Sequence, residues 1–237
     1  MSIFENRISG IQKFTTLDFP GLISGILFYS GCKLRCPYCY NPEVVFNRLP
    51  HLSVEEITDF LKARKNVLDG IVLCGGECTL YGEDLIDDIN YLHSLGYKVK
   101  MDTNGVNYGI IEKIVKNKLV EYIALDYKCP EEKWDMFFPN KDLYTEFEKT
   151  FKLLIDSDVP FEVRTTVHPD CTDEHDINMM IDHLETMGYS GTYYLQYFMQ
   201  CPATIGNVNQ NPREFDLSKL LDTKHVKFSY RNFRTHQ

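Results

Sequence analysis

Gly31-Cys32-Lys33-Leu34-Arg35-Cys36-Pro37-Tyr38-Cys39 sets three cysteines at C-x3-C-x2-C spacing. The apolar run Leu22-Ile23-Ser24-Gly25-Ile26-Leu27-Phe28-Tyr29 precedes it directly, so the thiols fall in a loop that leaves a buried strand. Three thiolates can hold three irons of a cubane cluster, and with no fourth cysteine at matching distance one iron stays open to a non-protein ligand. An open iron is a place for chemistry. A structural zinc site or three unrelated buried thiols would use the same residues. Zinc sites normally close with four ligands, however, and no histidine stands near Cys39 to complete one.

Composition narrows the setting. The 237 residues contain no long Pro/Gly/Ser linker and no charge block, and 43% are hydrophobic, so a single domain over residues 1–237 with a real core is expected. Net charge is −9 with both signs interspersed, which argues against nucleic acid or an anionic membrane as the main partner. The basic cluster Lys224, Lys227, Arg231 and Arg234 reads as a solvated strand face. No apolar run approaches the ~20 residues of a membrane span, and Glu5 and Arg7 interrupt any apolar leader, so a cytoplasmic protein is expected. Eight cysteines are too sparse for a secreted disulfide scaffold. Outside the loop, Cys74, Cys78, Cys129, Cys171 and Cys201 read as small buried or half-buried thiols.

A lead-in over residues 1–21, extended or hairpin, ends in the turn Asp18-Phe19-Pro20-Gly21. Strand patterns at about 22–29, 70–74, 97–102, 120–126, 160–167 and 191–198 then alternate with helical patterns at about 53–68, 82–95, 106–118, 141–157 and 173–187. Ser53 with Glu56 forms a capping-box pattern, Thr172 or Asp173 can cap the last of these helices, and Gly70, Gly96 and Gly188 mark helix ends. Strand and helix in strict alternation imply an α/β fold with parallel strands and right-handed crossovers. Periodicity leaves an open doubly wound sheet and a barrel both possible. The core spans about 22–198; the extension 199–237 is read as a loop, a short helix near 215–221 and an edge strand near 225–231.

Polar groups gather where such folds build sites. Cys32 to Cys39, Gly75-Gly76-Glu77, Asp102-Thr103-Asn104, Asp126 with Lys128, and Arg164 through His168 all lie at or just past the C-terminal ends of successive predicted strands. Two glycines let backbone come close to a ligand, and Glu77 can accept from an ammonium group. Arg164, between Val163 and Thr165 in a core strand, needs a carboxylate, from a ligand or from Glu162 or Asp126. His168, Gln196 and Phe198 are weaker substrate-side candidates. No P-loop, G-x-G-x-x-G or H-E-x-x-H occurs.

The cysteine spacing, with Tyr38 before the last thiol, resembles the radical S-adenosylmethionine superfamily. Ile8-Ser9-Gly10, Asp18-Phe19-Pro20-Gly21, Asn41-Pro42-Glu43, Gly75-Gly76-Glu77, Leu80, Asp102-Thr103-Asn104-Gly105, Ala124-Leu125-Asp126-Tyr127-Lys128 and Arg164-Thr165-Thr166-Val167 further resemble the anaerobic ribonucleoside-triphosphate reductase activating proteins. The resemblance implies a partial (βα)6 TIM-type barrel. Cys32, Cys36 and Cys39 would hold a [4Fe-4S] cluster whose open iron takes S-adenosylmethionine. Gly75, Gly76 and Glu77 would meet its amino group and Tyr38 its adenine; Asp102 or Asp126 would bind ribose hydroxyls, with Thr103 and Asn104 beside them, and Lys128 and Arg164 would face the carboxylate. Two acids beside a third carboxylate repel, so a monovalent cation on Asp102, Thr103 and Asp126 is a further expectation. The implied activity is removal of hydrogen from a glycine of an anaerobic ribonucleotide reductase, with electrons from a flavodoxin or ferredoxin. A formate-lyase-type partner, a small-molecule substrate and a plain iron–sulfur electron carrier are the alternatives. Two positions depart from the family pattern: Cys78 stands where proline is expected after Glu77, and Tyr40 where many relatives have histidine.

Overall fold

The computed structural model describes residues 3–138 and 142–233. Eight strands form one sheet in sequence order: β1 (Ile8–Thr15), β2 (Ser24–Tyr29), β3 (Gly70–Gly75), β4 (Lys98–Thr103), β5 (Tyr122–Asp126), β6 (Phe161–Val167), β7 (Thr192–Tyr197) and β8 (Lys227–Arg231). β1 runs antiparallel to β2, and every later neighbour pair is parallel. The order is open at β1 and β8, as in a partial barrel. The six predicted strands are therefore flanked by the lead-in strand on one side and by the predicted edge strand on the other.

The helices are α1 (Pro42–Val45), α2 (Val54–Arg64), α3 (Glu83–Ser94), α4 (Tyr108–Lys116), α5 (Trp134–Phe137), α6 (Asp142–Ile155) and α7 (Glu174–Thr186). Strand pleating sorts residues between two environments. Leu27, Leu73, Val99, Met101, Leu125, Val163 and Leu195 join α2, α3, α4, α6 and α7 in the main core, whereas Ile26 and Val72 form a separate small cluster with Phe19. On the face of Val72 and Cys74, the strands also carry Lys100, Asp102, Asp126 and Arg164, so the chemistry collects inside the sheet's curve. Full burial of an apolar strand side chain such as Leu73 or Leu125 contributes about 1.5–3 kcal/mol.

Ser53 and Glu56 form the capping box at α2, and Asp173, rather than Thr172, caps α7 in a box with Asp176. Gly96 and Gly188 end their helices at positive φ. Gly70 does not end a helix. It opens β3, where a Cβ would lie 2.9 Å from both the Lys98 carbonyl and the Phe19 ring, so close packing demands it. The helix expected near 215–221 is one 3-10 turn, Leu217–Lys219, with Asp216 accepting from Ser218 at its start. This segment is held from outside: Arg213 forks onto Glu174 (2.7 and 2.5 Å), and the Asp216 amide donates to the same carboxylate. Arg231, expected on a solvated face, stacks 4.0 Å from the Tyr194 ring centroid; Arg234 lies outside the described residues.

Candidate active site

The cysteine loop is tied down at both ends and in the middle. Ser30 N donates to Arg7 O (2.8 Å), Gly31 N to Val44 O (2.7 Å), and Arg35 N to Phe137 O (2.9 Å). The extension closes the far end, with Ile205 N on Cys39 O (3.0 Å) and Gly206 N on Pro37 O (2.8 Å). Cys32, Cys36 and Cys39 all line one cavity, as three soft sulfur donors facing a common space. The Leu34 amide (3.4 Å) and the Asn104 side-chain amide (3.8 Å) point at the Cys32 sulfur. Burial pushes the Cys32 thiol up to about 12, with Glu77 adding to it; burial likewise pushes Cys36 to about 12 against the opposing pull of Lys128. A metal cluster must displace those protons, and the donor set and loop constraint fit a [4Fe-4S] cluster held by three protein thiolates.

Gly75, Gly76, Glu77, Asp102, Thr103, Asn104, Asp126 and Lys128 line the same cavity. The two glycines have a packing reason that sequence reasoning missed. A Cβ on Gly75, at φ +115°, would sit 2.3 Å from Tyr29 O, and one on Gly76 only 2.0 Å from Gly31 O. The backbone they free donates instead: Gly76 N to Tyr29 O (2.8 Å) and Glu77 N to Gly31 O (2.9 Å). The β3 loop is thus welded to the cysteine loop by main chain, with the Tyr81 hydroxyl adding a bond to Ser30 O (2.9 Å).

Glu77 is 2% exposed and already engaged. Its carboxylate accepts from Thr79 Oγ1 (2.6 Å), Thr79 N (3.2 Å), Thr103 Oγ1 (2.9 Å) and Asn104 N (2.8 Å), joining the β3 and β4 rims. Burial raises its carboxyl, against these hydrogen bonds. Glu77→Ala leaves the Thr79 and Asn104 donors unpaired and is expected to cost about 2–4 kcal/mol of stability, read as a lower melting temperature. An unchanged melting temperature would mean the carboxylate does not hold the two rims together. Cys78, at the proline position, is buried and opens a 3-10 turn that Glu77 caps, so the loop is fixed without a proline.

Across β4, β5 and β6 runs a chain of alternating charge. Lys100 Nζ donates to Asp102 Oδ1; Arg164 donates through Nη1 to Asp102 Oδ2 (3.0 Å) and through Nε to Asp126 Oδ1 (2.9 Å); Lys128 Nζ donates to Asp126 Oδ2 (3.0 Å). Burial would raise the Asp126 carboxyl, but Arg164 and Lys128 outweigh it and hold it at about 2. Of the partners open to Arg164 in the sequence, the structure gives it Asp126 and adds Asp102. Lys100 was not singled out from sequence. Its signal was position: two residues before Asp102 on one strand, it shares that residue's face.

Three placements add to what the sequence alone suggested. Tyr38 does not line the cavity; it is 5% exposed and packs edge-on against Phe137 (5.5 Å), because α5 offers an aromatic partner behind the loop. His168 is fully buried and bonds Asn209 O (3.0 Å) of the extension, with Phe198 against its ring. Cys74, read only as a packing thiol, lines the cavity.

The family model for the radical SAM superfamily matches residues 26–182. A Methanocaldococcus jannaschii protein named as a candidate glycyl-radical enzyme activating enzyme is 36% identical over 198 residues, covering 81% of this chain and 79% of its own length. The pyruvate formate-lyase-activating enzyme of Clostridium pasteurianum is 35% identical over 128 residues, 52% of each chain. Among solved structures, native anSMEcpe with bound AdoMet matches at TM-score 0.54 and 18% identity over 71% of this chain. The radical S-adenosylmethionine methyltransferase TsrM of Kitasatospora setae, with cobalamin and a [4Fe-4S] cluster bound, matches at 0.55 and 10% over 78%. This chain spans 48% and 38% of those two, and at such identities the likeness is one of fold. Taken with the residues of the cavity, these matches mean that the chain belongs to the radical SAM superfamily, among the glycyl-radical enzyme activating enzymes.

Proposed function

We propose that this protein activates an anaerobic ribonucleotide reductase by removing a hydrogen atom from a glycine Cα of that partner. One observation supports the chemistry: the three loop thiols share a single cavity with Gly75-Gly76-Glu77, Asp102-Thr103-Asn104, Asp126 and Lys128. The choice of a reductase as partner rests on the motif resemblance alone. Cys32, Cys36 and Cys39 would hold the cluster, with S-adenosylmethionine beside it in the same cavity. When bound, this pair supplies reductive cleavage to methionine and a 5′-deoxyadenosyl radical. The chain's own work is orientation and exclusion of water. Backbone at Gly75 and Gly76 with the Glu77 carboxylate would receive the methionyl amino group, Lys128 and Arg164 would meet the carboxylate, and Asp102, Asn104 and Asp126 would border the ribose. A glycine suits the reaction because the flanking amides delocalise the radical and no side chain blocks approach. Electrons come from a flavodoxin or ferredoxin, for which the exposed cations Lys33, Arg35 and Arg48 around the cysteine loop offer a complementary face. No helix among the described residues is long and apolar enough to cross a membrane, and we place the reaction in the cytoplasm.

A formate-lyase is the second reading, favoured by the names of relatives in Clostridium pasteurianum and Listeria monocytogenes. Anaerobic incubation with S-adenosylmethionine, reductant and each partner, followed by electron paramagnetic resonance, separates them. A glycyl doublet is expected with the reductase. A doublet only with the formate-lyase reassigns the partner, and steady cofactor cleavage without any doublet moves the substrate to a small molecule.

A further inference from the structure

The ion chain bears on how the cavity tolerates its own acids, an inference that rests on reading the cavity as an S-adenosylmethionine site. A carboxylate entering beside Asp102 and Asp126 makes three negative groups in a confined space, which is why the sequence suggested an alkali-metal ion on Asp102, Thr103 and Asp126. The structure has already spent those ligands. Both oxygens of Asp102 and both of Asp126 receive a protein cation, from Lys100, Arg164 and Lys128. Thr103 Oγ1 donates to Glu77 (2.9 Å) and accepts from Gly105 N (3.1 Å), so it too is taken. Glu162, the other buried carboxylate on this face, bonds the Tyr122 hydroxyl instead (3.2 Å).

Lys100 decides the matter. Lys128 lines the cavity and Arg164 lies behind it on both acids, but Lys100 is 1% exposed, on a strand interior, with its ammonium on Asp102. A buried ammonium needs a hydrogen-bonding acid beside it, and Asp102 is that partner. Its ammonium is a compact, monovalent point charge, the same chemical class as the ion it excludes. We propose that Lys100 is the built-in monovalent cation of this site and that cofactor binding therefore needs no alkali-metal ion.

The test uses the cluster-loaded protein under anaerobic conditions. S-adenosylmethionine affinity is measured by calorimetry in potassium, sodium and choline chloride at equal ionic strength. Wild-type affinities are expected to agree within about twofold, whereas Lys100→Met should bind about tenfold or more weakly in choline and recover in potassium or sodium. Wild-type binding that strengthens about tenfold in one alkali-metal salt, or a Lys100→Met protein indifferent to salt, would overturn the proposal. Should that variant not fold, wild-type crystals soaked in thallium answer without it. No anomalous peak is expected between Asp102 and Asp126, and a peak there would overturn the role of Lys100. The soak needs no cofactor, so absence of S-adenosylmethionine binding in every salt would instead remove the reading of the cavity.

Discussion

Cys36→Ala is expected to abolish the four-iron cluster and all S-adenosylmethionine cleavage, while Cys171→Ala and Cys201→Ala keep both. Cys36 sits at the centre of the loop, 7% exposed, between backbone anchors on either side. Cys74, the other thiol lining the cavity, belongs to β3 and not to this loop. Cys171 is a packing thiol outside the cavity, and its loss should cost no more than about 1 kcal/mol of stability. Iron content with low-temperature electron paramagnetic resonance of the reduced protein reads the outcome. Four irons and undiminished cleavage in Cys36→Ala would remove the cluster assignment.

The second large effect touches no thiol. Gly76→Ala would drive a methyl to 2.0 Å from Gly31 O, the carbonyl that accepts from Glu77 N. Neither atom belongs to a flexible side chain, so both loops must part. We expect a loss of about 3 kcal/mol or more in stability and failure to retain the cluster. Gly109→Ala is the control. This helical, exposed glycine has open space around it, and the change should stabilise by about 0.5–1 kcal/mol. A Gly76→Ala protein that melts with wild type and loads its iron would show that the contact between the loops is dispensable.

Local patterns on the page of sequence reached a long way. The alternation of period-two and helical segments located all six parallel core strands, and Ser53 with Glu56 marked a helix start that the structure repeats. Rim residues were legible because strand ends are where a parallel fold can expose polar groups. What stayed hidden depends on proximity between distant segments. Nothing adjacent to Glu77 announces Thr103 and Asn104 as its partners, and nothing beside Tyr38 announces Phe137. Gly70 was misread for the same reason, since a chain break and a close strand crossing ask for the same residue. Near 215–221 the apolar pattern was too short to nucleate a helix, and Glu174, far along the chain, fixed the segment in another shape.

The bonds from Ile205 and Gly206 to the cysteine loop impose an order on synthesis. Cys32 to Cys39 leave the ribosome early, yet Cys39 O and Pro37 O find their partners only after residue 206 has been added. Until then the Cys39 end of the loop lacks these two fasteners, while Ser30 N on Arg7 O and Gly31 N on Val44 O need only residues made early. The full set of backbone anchors around the three sulfurs is therefore a late product of synthesis, set by the extension rather than by emergence of the cysteines.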